Sequence, residues 1–188
     1  ESDKIYEQAN VSADIRLKRL ESHLKTVMKH DDAVMRLLTL YNAAGLYDKA
    51  LKILDSRHFH LWEGGGQVHD IYVDSHILKG MKLLKGKRYK EAINEFDLAN
   101  QYPVNLEVAP SPRGGYEAKV YYLSGIAYEA MNQADKAKEC FEKSANTDFR
   151  NRLTDLNYYK VKSLRKLNRN EEADATLADM QKSLERMQ

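Results

Sequence analysis

Apolar side chains recur along this chain at three- and four-residue steps, so the elements it predicts are helices. Between positions 14 and 29, Ile15, Leu17, Leu20, Leu24, Val27 and Met28 form one such stripe. Asp31 and Asp32 then offer an N-cap and a favourable charge at the next helix start. Val34, Leu37, Leu38 and Tyr41 continue as a second stripe, which Gly45 ends by tolerating a left-handed conformation. Tyr47, Ala50, Leu51 and Leu54 mark the following helix. Two helices joined by so short a turn form a hairpin that buries one face against its partner and the other against the next hairpin.

The design returns three times. The segments LYDKALKILDS, RYKEAINEFDLA, QADKAKECFEKSA and RNEEADATLADM align with a small residue at Ala50, Ala92, Ala137 and Ala173 and a bulky one at Leu54, Phe96, Phe141 and Leu177. A four-residue step is about one helical turn, so each pair shares a face. The alanine admits a neighbouring helix, and the large side chain fills the space beside it. Gly80 and Gly125 each precede their alanine by twelve residues, while Leu38 and Val161 hold that place in the outer copies. A mid-helix glycine is disfavoured by about 1 kcal/mol relative to alanine. Its recurrence at one repeat position predicts a close helix crossing.

Gly80, Tyr89, Ala92, Phe96, Ala99 and Pro103, and again Gly125, Tyr128, Ala137 and Phe141, resemble the tetratricopeptide repeat family over positions 31 to 188. The resemblance implies an all-α fold, a right-handed α-α superhelix (a tetratricopeptide-like solenoid) of about five helix hairpins. An N-terminal helix or degenerate capping hairpin at 1–30 would precede repeats at 31–57, 71–103, 116–146 and 152–186. The alanines lie 42, 45 and 36 residues apart, against a family period of about 34. Two inter-repeat loop insertions, 57–70 and 102–116, account for the excess. The family's groove positions fall on Met35, Thr39, Ile77, Met81, Leu84, Tyr122, Ile126, Glu129, Tyr158, Lys162 and Arg165. Where chaperone-binding members carry a residue of their carboxylate clamp, this chain has Met35, Ile77, Tyr122 and Tyr158. That clamp is therefore absent, and the middle groove reads as apolar and aromatic, filled by the insertions, a partner helix or peptide, or another domain.

A narrower likeness lies in the insertions. Phe59-His60-Leu61-Trp62-Glu63-Gly64-Gly65 followed by Tyr102-Pro103-Val104-Asn105-Leu106 resembles a phrase of large bacterial proteins that join a domain of unknown function to C-terminal tetratricopeptide-like repeats. Leu61 stands where proline is expected, and Glu107-Val108 where glycine-glutamate is commoner. The likeness implies the C-terminal part of a larger bacterial protein and supplies no catalytic residue. Trp62 reads either as a plug that pins its glycine-rich loop, or as a platform for a sugar ring or apolar side chain, oriented by Glu63 and Arg113.

Composition narrows the function classes. The chain has 30 basic and 28 acidic side chains, so its net charge of +2 gives little pull toward nucleic acid or an anionic membrane. No apolar run approaches the roughly 20 residues of a membrane span. The lone Cys140 excludes an internal disulfide framework and a Cys-based zinc site. The sequence opens on Glu1, which reads as a processed chain or excised fragment; a soluble protein of cytoplasm or periplasm fits equally. His58, His60, His69 and His76 cluster near Glu63, Asp70 and Asp74, but without H-E-x-x-H spacing they read as loop and surface histidines, with no metal or other cofactor. No P-loop, G-x-S-x-G or G-x-G-x-x-G occurs. Cys140 beside Phe141 reads as packed, and the basic stretch Lys160, Lys162, Arg165, Lys166 and Arg169 as a solvated helix face. The reading is thus a non-catalytic scaffold for a protein or peptide partner, or for another domain of the same parent, with homo-oligomer formation as a further option. The alternative is an accessory domain of a carbohydrate-directed enzyme, working around Trp62.

Overall fold

The structure, a computed structural model, describes residues 2–60, 66–109, 116–148, 154 and 156–186. Among these the chain is all-α, with no strand. The helices are α1 (Ser2–Gln8), α2 (Ala13–Ser22), α3 (Leu24–Val27), α4 (Asp31–Ala43), α5 (Tyr47–Ser56), α6 (Gly66–Lys85), α7 (Tyr89–Ala99), α8 (Glu117–Ala130), α9 (Ala134–Ala145), α10 (Asn157–Lys166) and α11 (Asn170–Glu185), with a 3-10 turn at Val104–Leu106. The chain divides into two compact units, one of Glu1–Lys79 with Gln101–Pro110 and one of Gly80–Asn100 with Ser111–Gln188.

In the first unit α1 pairs with α2, which packs on α4, and α4 packs on α5. Arg16 on α2 grips Asp3 on α1 through Nε at 3.0 Å and Nη2 at 2.8 Å. That hydrogen-bonded guanidinium holds the Asp3 carboxyl below the usual carboxylate range, against the opposing effect of burial. Val34, Leu37, Leu38, Ala50 and Leu54 are fully or almost fully buried between α4 and α5. The Ser75 hydroxyl of α6 lies 2.7 Å from the Ile71 carbonyl and 3.0 Å from Asn42 Oδ1 of α4, a buried polar link between those helices.

Three local expectations change here. The stripe from Ile15 to Met28 is not one helix, because α2 stops at Ser22. Ser22 Oγ and His23 Nδ1 both donate to the Arg19 carbonyl, at 2.8 and 3.0 Å, and so compete with the helix's own ladder. Asp31 does not cap α4 either; it lies inside the first turn, and His30 occupies the cap position without a side-chain bond. Its carboxylate turns instead to Arg57 beyond α5. Finally, α6 begins at Gly66, inside the stretch 57–70 expected as a loop.

In the second unit α7 packs on α8, α8 on α9, and α10 on α8, α9 and α11. The recurring small residues do what their spacing predicts: Ala92, Ala137 and Ala173 are 0%, 4% and 0% exposed. A methyl group built at Gly80 would fall 2.4 Å from Phe96, and one at Gly125 would fall 2.5 Å from Phe141. Each glycine thus opens the first helix of its hairpin to the aromatic ring of the second. The Ser144 hydroxyl, fully buried, donates to the Ala118 carbonyl and accepts from Ser163, both at 2.7 Å, tying α9 to α8 and α10.

One turn geometry serves four hairpins. Gly45, Lys87, Asn132 and Asn168 have φ of 72°, 60°, 58° and 59°. The next N–H in each case reaches back five residues, to the carbonyls of Tyr41, Leu83, Tyr128 and Leu164, at 2.8 to 3.0 Å. This is the left-handed helix ending that satisfies carbonyls the last turn would otherwise leave open.

Tyr41 gives the fold a pH signature. Burial, reinforced by the Glu21 carboxylate that accepts its proton at 3.1 Å, pushes the phenol from 10.0 up to about 12. The folded state therefore keeps a proton that the unfolded chain releases, and stability falls as pH rises from about 10 to about 12. Urea unfolding across that range should show this loss in the wild type and a weaker one in Tyr41→Phe.

Candidate functional site

The positions expected to face a groove differ in exposure. Ile77 is fully buried on α6, so it belongs to the core of the first unit and presents nothing to a partner; an isoleucine flanked by other apolar residues cannot reveal by spacing alone which neighbour will cover it. Met81 is 40% exposed on α6. Tyr122 and Ile126 lie half-buried on α8, and Tyr158 is 50% exposed on α10. Trp62, Glu63 and Arg113 fall outside the described residues.

Tyr122 and Tyr158 come together around Lys162. The ammonium stands 4.9 Å from the Tyr158 ring centre, 5.2 Å from Tyr122 and 5.9 Å from Tyr159. Tyr122 also meets Phe141 at 5.9 Å and Tyr159 at 5.7 Å. Tyr122, Tyr158 and Lys162 border an open depression of about 430 Å³, completed by Val161, Arg165, Lys166 and Leu177. Met81 and Ile126 do not line it.

The basic stretch on and after α10 is largely paired within the chain. Arg165 bonds Asp174 at 2.6 Å, Lys166 bonds Glu129 at 2.6 Å, and Arg169 bonds Glu172 at 2.6 Å. Lys160 donates to the Thr147 carbonyl at 3.2 Å. Among the described residues, Lys162 has no carboxylate within ion-pair reach. It is held over tyrosine faces, an arrangement that attracts a cation electrostatically while leaving it able to meet an anion from outside.

Cys140 lies half-buried on α9, beside Asp97, Tyr121, Tyr128 and Lys143. Burial pushes its thiol above the ordinary value. The reactive thiolate is therefore disfavoured at neutral pH, the opposite of what a nucleophilic cysteine requires.

The histidine cluster splits in two. His69 and His76 are 8% and 5% exposed on α6. His69 stacks on Tyr102 with ring centres 4.0 Å apart and donates from Nε2 to the Gln101 carbonyl at 3.0 Å. His76 meets Tyr72 edge-on at 4.5 Å. His58 and His60 instead face solvent, and their neighbour is Glu107, from the other insertion. His58 Nε2 donates to Glu107 Oε1 at 2.6 Å, and His60 Nδ1 lies 4.0 Å from the same oxygen.

That meeting arises because the described parts of the two insertions at 57–60 and 102–107 fold onto each other within the first unit. The Phe59 N–H donates to the Asn105 carbonyl at 2.8 Å. Asn105 Nδ2 in turn donates to the carbonyls of Leu54 and Arg57, both at 2.7 Å, at the end of α5. Phe59 and Leu106 are 2% and 1% exposed beneath this contact. In sequence the two insertions are joined through Trp62, Glu63 and Arg113, which lie outside the described residues, and nothing there points to the contact of Phe59 with Asn105 or of His58 with Glu107.

No helix among the described residues is long and apolar enough to cross a membrane. No family model matches the chain. Among solved structures, that of MamA is 16% identical, with 100% of this chain and 96% of that chain covered and a TM-score of 0.51. The MamA RS-1 ArsTM double mutant is 19% identical over 98% of this chain and 91% of that chain, with a TM-score of 0.50. A third structure, MamA 41-end from Desulfovibrio magneticus RS-1, is 19% identical over 100% of this chain and 97% of that chain, with a TM-score of 0.47. The first two are tetratricopeptide-like helical structures, and the likeness to them gives this chain the same all-α fold class.

Proposed function

We propose that the chain is a non-catalytic scaffold that docks a protein or peptide segment on the tyrosine face of α8 and α10. The carrying observation is Lys162, held over three tyrosine rings at the edge of an open depression. Tyrosines that are half-buried and already fixed by neighbouring rings lose little freedom on binding, and such residues dominate interface energetics. An aliphatic or aromatic side chain of the partner packs on Tyr122 and Tyr158 while an adjacent carboxylate meets Lys162. The raised thiol of Cys140 supports a role without covalent chemistry. In the same reading the partner is a separate protein or another domain of a larger bacterial polypeptide, which the phrase in the two insertions supports.

The test is peptide display against the full chain, followed by calorimetry of the selected peptides. Acidic residues next to apolar ones should be enriched. Tyr122→Ala and Lys162→Ala should each weaken binding at least tenfold. Peptides that bind both variants as tightly as wild type would end this reading.

A further inference from the structure

We propose that His58, His60 and Glu107 form a binding site for a first-row divalent transition-metal ion, with zinc as the representative case. One ligand atom from each residue lies within 4.8 Å of the others. Two imidazoles and one carboxylate are a donor set for zinc and its neighbours, whereas calcium and magnesium are held by oxygen alone. With metal–ligand bonds of about 2.0–2.2 Å, the donors of a tetrahedral site stand about 3.3 Å apart. The present separations of 2.6 Å and 4.0 Å from Glu107 Oε1 bracket that value. The imidazole rings are already edge-on at 5.1 Å. Small side-chain rotations therefore suffice, and the solvent-facing side leaves a coordination position for water or a partner's group.

The backbone beneath the three donors is fixed, which separates this cluster from a chance meeting of surface side chains. Arg57 leaves α5 with extended backbone, and the next three residues alternate between exposed, buried and exposed. Phe59 faces the core at 2% exposure, and His58 and His60 consequently share the outer face. The Phe59 N–H is held by the Asn105 carbonyl, and the His60 N–H by Asp31 Oδ2 at 3.1 Å. On the other side Leu106 is buried, and the Glu107 N–H donates to the Val104 carbonyl at 3.1 Å. Glu107 has φ of 52°, a conformation that favours glycine. The carboxylate is thereby carried straight to the histidine pair.

The left-handed backbone supplies a clean test. Glu107→Gly relieves a strained conformation, so the folded chain should be retained, while one ligand is removed. With the tag-free full chain, zinc titration by calorimetry should give one equivalent bound, and cobalt should give the visible absorption of a tetrahedral site. Zinc should raise the wild-type melting temperature, because it ties together segments about fifty residues apart and binds only the folded state. His60→Asn and Glu107→Gly should each weaken binding at least tenfold and abolish the thermal shift, whereas His23→Asn should change neither. Less than one equivalent bound to wild type, or binding undiminished in both site variants, would overturn the proposal.

Discussion

Replacing Gly125 with valine is expected to destabilise the protein by about 2–3 kcal/mol, the upper part of the span of about 1–3 kcal/mol for forcing extra carbon into a close-packed core. The first added carbon alone would sit 2.5, 2.7 and 3.0 Å from three atoms of the Phe141 ring. The ring cannot swing away freely, because Tyr122 stands against it at 5.9 Å. The repeat supplies its own remedy. At the equivalent places the last hairpin carries Val161 and Leu177, packed in one cluster with Leu164 and Ala173. Gly125→Val combined with Phe141→Leu should therefore be more stable than Gly125→Val alone, by about 1 kcal/mol or more, as expected for directly touching residues. Denaturant unfolding of the four species of this cycle measures the coupling. A coupling near zero would mean that glycine and phenylalanine were not chosen for each other.

Asp31→Ala should have the larger effect, a loss of about 3 kcal/mol, as expected when one partner is removed from a mostly buried ion pair. The Asp31 side chain is 5% exposed and that of Arg57 20%. Arg57 donates to Asp31 Oδ1 through both Nε and Nη2, and to the Met28 carbonyl at 2.8 Å through Nη1. Asp31 Oδ2 also accepts from the His60 N–H. Deleting the carboxylate strands a guanidinium among apolar neighbours and frees the segment bearing His58 and His60. Arg57→Met in the same chain should recover much of the loss, since an uncharged side chain of similar length no longer demands a partner. Thermal unfolding of both variants decides: a double variant no more stable than Asp31→Ala would assign the loss to the His60 bond rather than to the stranded charge.

What the sequence disclosed follows from which interactions are local. Helix periodicity and the alternation of alanine with leucine or phenylalanine are set within one or two turns, so Ala92, Ala137 and Ala173 could be placed in the core before any coordinates. Tyr122 and Lys162 are placed at a groove only through the tetratricopeptide resemblance, which assigns their repeat positions to it. Asp31 could not be read, because an aspartate at a helix start looks identical whether it caps the helix or awaits an arginine 26 residues away. Lys87 could not be read as left-handed, since the glycine beside it at position 86 was the obvious candidate; only comparison of all four turns places it in line with Gly45, Asn132 and Asn168. Glu107 stands out in the sequence only as a residue where the resemblance expects glycine, which fits its left-handed backbone. Its contact with a partner 49 residues earlier is set by no periodicity.

The clasp between residues 57–60 and 101–107 sets an order on biosynthesis. Helical repeats ordinarily complete themselves from near neighbours, so each can settle as it leaves the ribosome. Here the first unit draws on Asn105 and Leu106, which are translated only after both helices of the next hairpin. The nascent N-terminal part must therefore wait, with Phe59 uncovered, until the later segment emerges, and an array of nearest-neighbour contacts acquires one slow, long-range step.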